Sequence, residues 1–311
     1  MQKSAVIYGF GRMGLTHYSI LNHLSDDIDV TFIDPNRKLK FFGAKNIEAK
    51  IKTSDSNINF GFDYAFICTP PNHHVNIIEK CLARSDKRIF CEKPFGGVED
   101  DFSSVIENKD KIRIGYVLRF NPIIQWLKNN LNPKDVVKVK GNYISNTLEK
   151  KPAGWRNGSY SGVLNEMGSH ILDVLVYLFG FKDSVIIQKK IQSKLSDVDD
   201  IVDVELESGH INYELHFNWV NKMYRKPIFN FVFELKDGKK LAVDQQKADL
   251  YDWDDKLINS VSVVDISVQV PFYLRGVDFT GQMTDFINGQ KVLATVPEAL
   301  ETRKIIKKIL T

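Results

Sequence analysis

A lysine, a glutamate and a histidine in this sequence stand where they could move a proton on a hydroxyl group. Lys93 follows an apolar run, Arg88–Cys91, that predicts a strand. Glu166 and His170 are four residues apart in a helical pattern, 162–179, so they share one helix face. An ammonium group can stabilise a developing alkoxide, and an imidazole can take or return its proton. The spacing alone is also consistent with Lys93 as an ordinary surface lysine and with Glu166 and His170 as a solvated pair.

A glycine-rich turn lies near the start of the chain. Its sequence is Gly9-Phe10-Gly11-Arg12-Met13-Gly14. The turn follows an apolar run, Ala5–Tyr8, and opens an amphipathic stretch, Arg12–Leu24. In that strand–turn–helix context the glycines permit a tight turn, a close approach to a pyrophosphate and close helix packing, and the helix N-terminus attracts phosphate. Asp34 ends a second apolar run, Val30–Ile33, where a carboxylate can accept both hydroxyls of an adenosine ribose.

Further polar residues follow other predicted strands. Ligands of an open parallel sheet lie beyond the carboxyl ends of its strands. We therefore predict that the glycine turn and Asp34 bind a cofactor together with residues that follow the next strands or stand near Asp34. These additional residues are Arg37, Thr69, Pro70, His74, Glu92 and Lys93.

The pattern of apolar residues changes near residue 120. Before it, apolar runs alternate with helical patterns, which is typical of βαβ units and a parallel sheet. After it, a period of two in 202–206, 211–219 and 229–233 predicts antiparallel strands with one buried face. We therefore predict an α/β protein with a Rossmann domain over 1–120 and an α+β domain with a largely antiparallel open sheet over 121–311. This prediction leaves open whether the last helix packs on the first domain.

Several segments resemble, in order, the markers of the glucose–fructose oxidoreductase/inositol dehydrogenase (Gfo/Idh/MocA) family. They are the turn at 9–14 and the segments 69–74, 91–94, 115–122, 162–173 and 296–300. The resemblance implies reversible oxidation of sugar or cyclitol hydroxyls by NAD or NADP, with Lys93 and His170 at the chemistry. It also implies homodimers or homotetramers built through the open face of the second sheet. Members of this family often carry Asp where this chain has Glu166.

We predict an NAD(P)-dependent oxidoreductase that transfers a hydride between nicotinamide and a carbinol carbon of a sugar, cyclitol or nucleotide-sugar. Lys93 polarises the oxygen, His170 takes or returns the proton, and Glu166 fixes the histidine or a neighbouring hydroxyl. The segment 118–122 is similar to that of enzymes of bacterial surface-polysaccharide pathways, which indicates that setting by analogy. Predicted substrate contacts are Arg119, Asn121, Trp155, Arg156 and Asn165.

Two alternatives stay open. The first is reduction of a non-sugar carbonyl or a conjugated double bond, as in bilin-type reductases that share the fold. The turn Glu92-Lys93-Pro94, taken with His170, favours carbinol chemistry instead. The second is a cofactor-binding regulator without turnover, against which the presence of both Lys93 and His170 argues.

Composition and charge argue against other classes. A formal net charge of +3 is too small to indicate nucleic acid or an anionic membrane as partner. No apolar run approaches the about 20 residues of a membrane helix. The three cysteines cannot all pair and lack the spacing of a metal site. Since the first strand begins almost at once, we expect no signal peptide, and we expect a cytoplasmic protein with a small-molecule substrate and no metal.

The cofactor preference is the first testable prediction. Asp34 should favour NAD over NADP, because the 2′-phosphate of NADP would face a carboxylate. Arg37 and Lys38 stand close enough in sequence to soften the preference, so use of both cofactors stays open. Fluorescence titration should give the lower Kd for NADH. NADPH bound about tenfold more tightly, a difference of about 1.4 kcal/mol, would contradict the assignment.

Overall fold

The computed structural model describes residues 2–25, 27–39, 47–97, 100–181, 183–266, 276–289 and 292–311. Its contacts divide the chain into two compact units. The first holds residues up to 117 together with the described residues between 276 and 299. The second holds 118–266 and 300–311. The first unit is therefore assembled from two separate stretches of the chain.

The first unit contains one parallel sheet. Its strands are β1 (Lys3–Tyr8), β2 (Ile28–Ile33), β3 (Lys50–Lys52), β4 (Tyr64–Ile67), β5 (Arg88–Glu92) and β6 (Ile112–Gly115). Their order is β3-β2-β1-β4-β5-β6, and every pair of neighbours is parallel. This is the Rossmann order, so the fold predicted for the first domain is confirmed. The strand β4 is buried throughout, as expected for a sheet covered on both faces.

Among the residues that the structure describes, four helices belong to this unit. They are α1 (Arg12–Leu24), α2 (His74–Ala83), α3 (Ser103–Glu107) and, in chain order, α7 (Val277–Asn288). The helix predicted over 98–107 is formed only as α3, and residues 98 and 99 lie outside the described residues. On the sheet, the ring of Phe286 in α7 lies 5.1 Å from that of Phe66 and 5.5 Å from that of Phe90. A helix from the C-terminal part of the sequence therefore packs on the first sheet.

The second unit contains an eight-stranded mixed sheet. Its strands are β7 (Val136–Ile144), β8 (Val185–Gln192), β9 (Ile201–Ser208), β10 (Ile211–Asn218), β11 (Ile228–Leu235), β12 (Lys240–Asp244), β13 (Lys247–Tyr251) and β14 (Leu257–Ser262). Their order is β14-β13-β12-β11-β7-β10-β9-β8, and only β7 and β10 pair in parallel. The prediction of a largely antiparallel sheet is confirmed, although β8 and β12–β14 were not foreseen.

Helices cover one face of this sheet. They are α4 (Pro122–Asn130), a π-helical turn (Leu164–Gly168), α5 (Ser169–Phe179), α6 (Val263–Ile266) and α8 (Val296–Leu310). Apolar residues of α5, α8 and the alternating strands form one core cluster. Single turns of 3₁₀ helix in the two units are Pro71–His73, Lys109–Lys111, Val117–Phe120, Pro133–Asp135 and Gly154–Asn157.

The helix predicted over 162–179 is divided in the structure. The N–H of Ser169 donates to the carbonyl of Leu164, five residues back, which makes the first part π-helical. Such turns are frequent at functional sites. Within the described ranges, no helix is long and apolar enough to span a bilayer.

Candidate active site

Strand register places the predicted cofactor residues along one edge of the first sheet. Tyr8, at the end of β1, pairs with Ile33 in β2 and Ile67 in β4. Ile67 pairs in turn with Cys91 in β5. Residues one or two positions further on therefore lie side by side at the carboxyl edge, where a parallel sheet binds its ligands. They are Gly9, Asp34, Thr69 and Lys93.

The glycine turn needs its glycines for two different reasons. Gly9 has φ +96°, and a Cβ there would lie 2.8 Å from the carbonyl oxygen of Cys68. At Gly14 a Cβ would lie 2.1 Å from the carbonyl oxygen of Gly9, so only glycine lets α1 pack on the turn. A Cβ at Gly11 would have no heavy atom within 4 Å. The space beside Gly11 is therefore open, as an approaching pyrophosphate requires.

Asp34 is tied directly to this turn. The N–H of Phe10 donates to Asp34 Oδ2 at 2.8 Å, and that of Asn36 donates to Oδ1 at 2.9 Å. The ring of Phe10 packs on Phe32 in the core, so this residue serves the turn through its backbone. Arg12 and Arg37 are exposed, and Met13 is half-buried.

His74 holds two loops of this edge together. It is fully buried, with Nε2 2.8 Å from the carbonyl oxygen of Thr69 and Nδ1 3.0 Å from that of Pro94. Burial lowers the pKa of His74. Since a neutral imidazole has one N–H, it donates to only one of these carbonyls at a time. His74 therefore links the Thr69-Pro70 turn to the turn after Lys93.

Glu92 has a partner that the sequence did not reveal. Its Oε1 lies 2.7 Å from Nε2 of His17, a fully buried residue of α1. The ring of His17 stacks on Phe66 at 6.0 Å and meets Phe90 edge-on at 5.1 Å, both in the sheet. Glu92 is itself buried, so it fixes the Lys93 turn to α1, and its predicted contact with the cofactor stays a prediction. Among 13 otherwise ordinary residues of a helix, His17 carried no signal of this role.

In the second unit Glu166 is held by two groups. The hydroxyl of Ser161 donates to its Oε1 at 2.7 Å, and Nη2 of Arg156 lies 3.2 Å from its Oε2. The guanidinium of Arg156 also lies 5.4 Å from the ring centroid of the half-buried Trp155. These two contacts hold the carboxylate of Glu166 in place within the second unit. The side chain of Arg156 keeps 45 % of its surface exposed while it pairs with Glu166.

His170 begins the α-helical part of the same segment. It is buried, and its ring lies 6.2 Å from that of Tyr143 in β7. Asn165, in the π-helical turn, donates from Nδ2 to the carbonyl of Ser161 at 2.8 Å and is buried. The amide of Asn165 therefore fixes the start of the segment.

Arg119 and Asn121, which we predicted to contact the substrate, form hydrogen bonds within the second unit. Arg119, 1 % exposed, donates from Nε and Nη2 to the carboxylate of Asp173 at 2.8 and 2.7 Å. Asn121 caps α4, since its Oδ1 accepts from the N–H groups of Ile123 and Ile124. Both side chains are buried and held by these contacts, and their contact with a substrate stays a prediction.

The residues at the edge of the first sheet fit a bound dinucleotide. Helix α1 begins at Gly11 without a side-chain cap and without an acidic residue in its first turn, so its dipole favours phosphate. The space beside Gly11 would take the pyrophosphate and Asp34 the ribose hydroxyls. Thr69 Oγ1 is buried without a hydrogen-bond partner among the described residues, which suits a polar ligand at this edge. The fold and these contacts define a dinucleotide-binding Rossmann domain.

Comparison with known proteins supports the assignment of a dinucleotide-binding domain. Residues 3–110 match the family model described as the oxidoreductase family with an NAD-binding Rossmann fold. This NAD-binding domain belongs to the Gfo/Idh/MocA oxidoreductase family, which confirms the resemblance seen in its motifs.

The curated relatives are named as oxidoreductases, and some of them as dehydrogenases of a sugar phosphate or of myo-inositol. Glucose-6-phosphate 3-dehydrogenase of Bacillus subtilis (strain 168) is 22 % identical over 63 % of this chain and 58 % of its own length. Among solved structures, UDP-N-acetylglucosamine 3-dehydrogenase from Acidithiobacillus ferrooxidans has a TM-score of 0.77 at 15 % identity, covering 100 % of this chain and 97 % of that one. Levoglucosan dehydrogenase with NADH and L-sorbose has a TM-score of 0.79 at 15 % identity, covering 99 % and 97 %. The matches to curated relatives span between 17 % and 65 % of their lengths.

Two glycine variants should separate binding from folding. Gly11→Ala should cost about 1 kcal/mol of stability or less, because its methyl group enters open space. It should still raise the Kd of NADH at least about tenfold, since the methyl group takes the place of the pyrophosphate. Gly14→Ala should lower the Tm clearly, because its methyl group meets the carbonyl of Gly9. Thermal unfolding and NADH titration of both variants measure this, and parent-like NADH binding by Gly11→Ala would contradict the assignment.

Proposed function

We propose that this protein is an NAD-dependent dehydrogenase acting on a carbinol group of a sugar, a cyclitol or a nucleotide-sugar. The observation that carries the proposal is the shared edge of the first sheet. Register places Lys93 there together with the glycine turn and Asp34. An ammonium beside a nicotinamide site is suited to a substrate oxygen that gains negative charge.

We assign one role to each side chain of the proposed site. Bound NAD would supply the hydride acceptor. Lys93 orients and polarises the hydroxyl oxygen, and His170 takes its proton during oxidation and returns it during reduction. Glu166 keeps its carboxylate fixed through Ser161 and Arg156, one turn before His170. His17 and His74 act through Glu92 and the carbonyl of Pro94, so they position the Lys93 turn without contacting substrate.

The proposed substrate is an anionic or nucleotide-linked sugar. Arg156 supports this, since an exposed planar guanidinium suits phosphate or carboxylate. The ring of Trp155 beside it offers a face to a sugar or a base. Two relatives are named for substrates that carry phosphate, glucose 6-phosphate and UDP-N-acetylglucosamine. A role in surface-polysaccharide synthesis, in the cytoplasm, belongs to the same proposal.

We also propose a homodimer or homotetramer built through the open face of the second sheet. Polar side chains on this face pair across strands. Nδ2 of Asn142 donates to Asn230 at 2.8 Å, His216 lies 2.6 Å from Asp203, and Lys138 pairs with Glu214. A face ordered in this way is suited to a second polar surface.

Removal of Lys93 or of His170 should abolish most turnover. Proton transfer by a positioned group contributes about 10²–10⁴-fold, and a donor to a developing oxyanion about 10²–10³-fold. His170→Ala and Lys93→Ala should therefore each lose at least about two decades of kcat. Both should bind NADH like the parent, because the phosphates rest on the glycine turn. Steady-state assays against sugars, cyclitols and nucleotide-sugars, with NADH titration, measure this.

Exposed residues provide the matched controls. Lys87→Ala and His210→Ala change a surface lysine and a surface histidine and should leave kcat unchanged. Near-normal turnover by Lys93→Ala or His170→Ala would remove that residue from the mechanism. Loss of NADH binding together with turnover would point to misfolding or to a cofactor role.

Arg156 should distinguish anionic from neutral substrates. Arg156→Ala should raise the KM for a nucleotide-sugar much more than it lowers kcat, because it removes binding that ground state and transition state share, while Ser161 still holds Glu166. The KM of Arg156→Lys should lie between those of the parent and of Arg156→Ala, since lysine keeps the positive charge but lacks the planar guanidinium. KM and kcat measured with a nucleotide-sugar and with the matching neutral sugar give the comparison. Equal effects on both substrates would contradict recognition of an anion.

A further inference from the structure

A residue of another element holds the first turn of the segment that carries Glu166 and His170. Asp199, which lies just before β9, accepts from the N–H of Leu164 through its Oδ2 at 2.8 Å. Its backbone carbonyl accepts from the N–H of Val163 at 2.7 Å. The first N–H groups of a helix have no partner within the helix, so Asp199 supplies it from elsewhere in the chain.

The packing around this contact is tight. Gly162 has φ +109°, and a Cβ there would lie 1.9 Å from Oδ1 of Asp199. The carboxylate therefore lies directly on the backbone where the segment begins. Asp199 is only 6 % exposed, so water does not readily replace it.

Its neighbour Asp200 has a different set of partners. It accepts from the backbone N–H groups of residues 194–196, from the hydroxyl of Ser196 and from the indole N–H of Trp219. Asp200 thus anchors its own loop to β10, whereas Asp199 reaches the helical segment. Two adjacent acids therefore allow separate tests of loop stability and of helix positioning.

The charges that face Asp199 are acidic. Burial, followed by repulsion from Asp200 and Glu166, raises the pKa of Asp199 to about 7, while the N–H of Leu164 opposes the shift. Arg156 balances Glu166 from the other side. Since the folded pKa lies above the ordinary value, the protonated form stabilises the fold, and this contribution is lost as the pH rises through about 7.

We propose that Asp199 is a positioning residue whose side chain fixes the helical turn that presents Glu166 and His170. The inference rests on the proposed function, in which His170 transfers the proton. Ionised Asp199 makes a charge-assisted hydrogen bond to Leu164, which is the stronger form of this contact. Turnover should therefore rise as Asp199 ionises, although the fold as a whole becomes less stable.

Two substitutions test this. Asp199→Ala removes the side-chain acceptor and should lower kcat at least about tenfold, with the Kd of NADH unchanged. Asp199→Asn keeps an acceptor without a titration. It should retain kcat within about threefold at the optimal pH and lose the part of the pH dependence near neutrality. Asp237→Asn, at an exposed hairpin turn, is the matched control and should behave like the parent.

Hydrogen exchange and the free energy of unfolding test the same contact without an activity assay. Hydrogen exchange in residues 162–170 should be faster in Asp199→Ala than in the parent. Between pH 5.5 and 8, the free energy of unfolding should fall less in Asp199→Asn than in the parent, because the variant has no carboxyl to ionise. If no substrate is turned over by the parent, the proposed function fails, and these measurements still test the contact.

Several outcomes would overturn the inference. One is a parent-like pH profile in Asp199→Asn while Lys93→Ala is inactive, since the proposed function would then stand without Asp199. Another is a pH profile shifted equally by Asp200→Asn, which would show a general loss of stability. Unchanged exchange in residues 162–170 of Asp199→Ala would also contradict it.

Discussion

The close approach of α1 to the glycine turn is the constraint on which the first unit depends. Only a glycine at position 14 lets the helix come so near to Gly9. That approach places His17 against two phenylalanines of the sheet, where its imidazole meets Glu92. One helix therefore presents its N-terminus to the cofactor phosphates and, five residues later, fixes the turn that carries Lys93. Cofactor binding and the proposed chemistry share one rigid support.

Buried contacts of two kinds fix a segment of the second unit in a similar way. The segment with Glu166 and His170 is held at its start by a hydrogen bond from Leu164 to Asp199, and beyond His170 by the bidentate ion pair of Asp173 and Arg119. Loss of one partner from a buried ion pair leaves an uncompensated charge and typically costs about 3–5 kcal/mol. The Arg119–Asp173 pair therefore confines the segment more effectively than exposed ion pairs, which contribute about 0–1 kcal/mol.

The sequence predicted elements whose pattern is local. The glycine turn, Asp34 and the alternation in β9–β11 each follow from residues close in the chain, and their structures agree. Edge strands were missed because β8 and β14 are largely exposed on both faces and lack a period of two. The partners of Arg119, Glu92 and Leu164 lie 54, 75 and 35 residues away, so no local pattern indicates them. An arginine next to a predicted strand end looks the same whether it meets a substrate or Asp173.

The position of α7 has a consequence for how the chain folds as it is made. Its Phe286 packs on Phe66 and Phe90, in the sheet built from the first third of the chain. The residues of the second unit up to 266 are synthesised before α7 emerges. Until then the aromatic face of the first sheet has no cover from this helix, and exposed faces of that kind promote association of partly folded chains. The core of the nascent Rossmann sheet is therefore not closed until residues 277–288 have been synthesised.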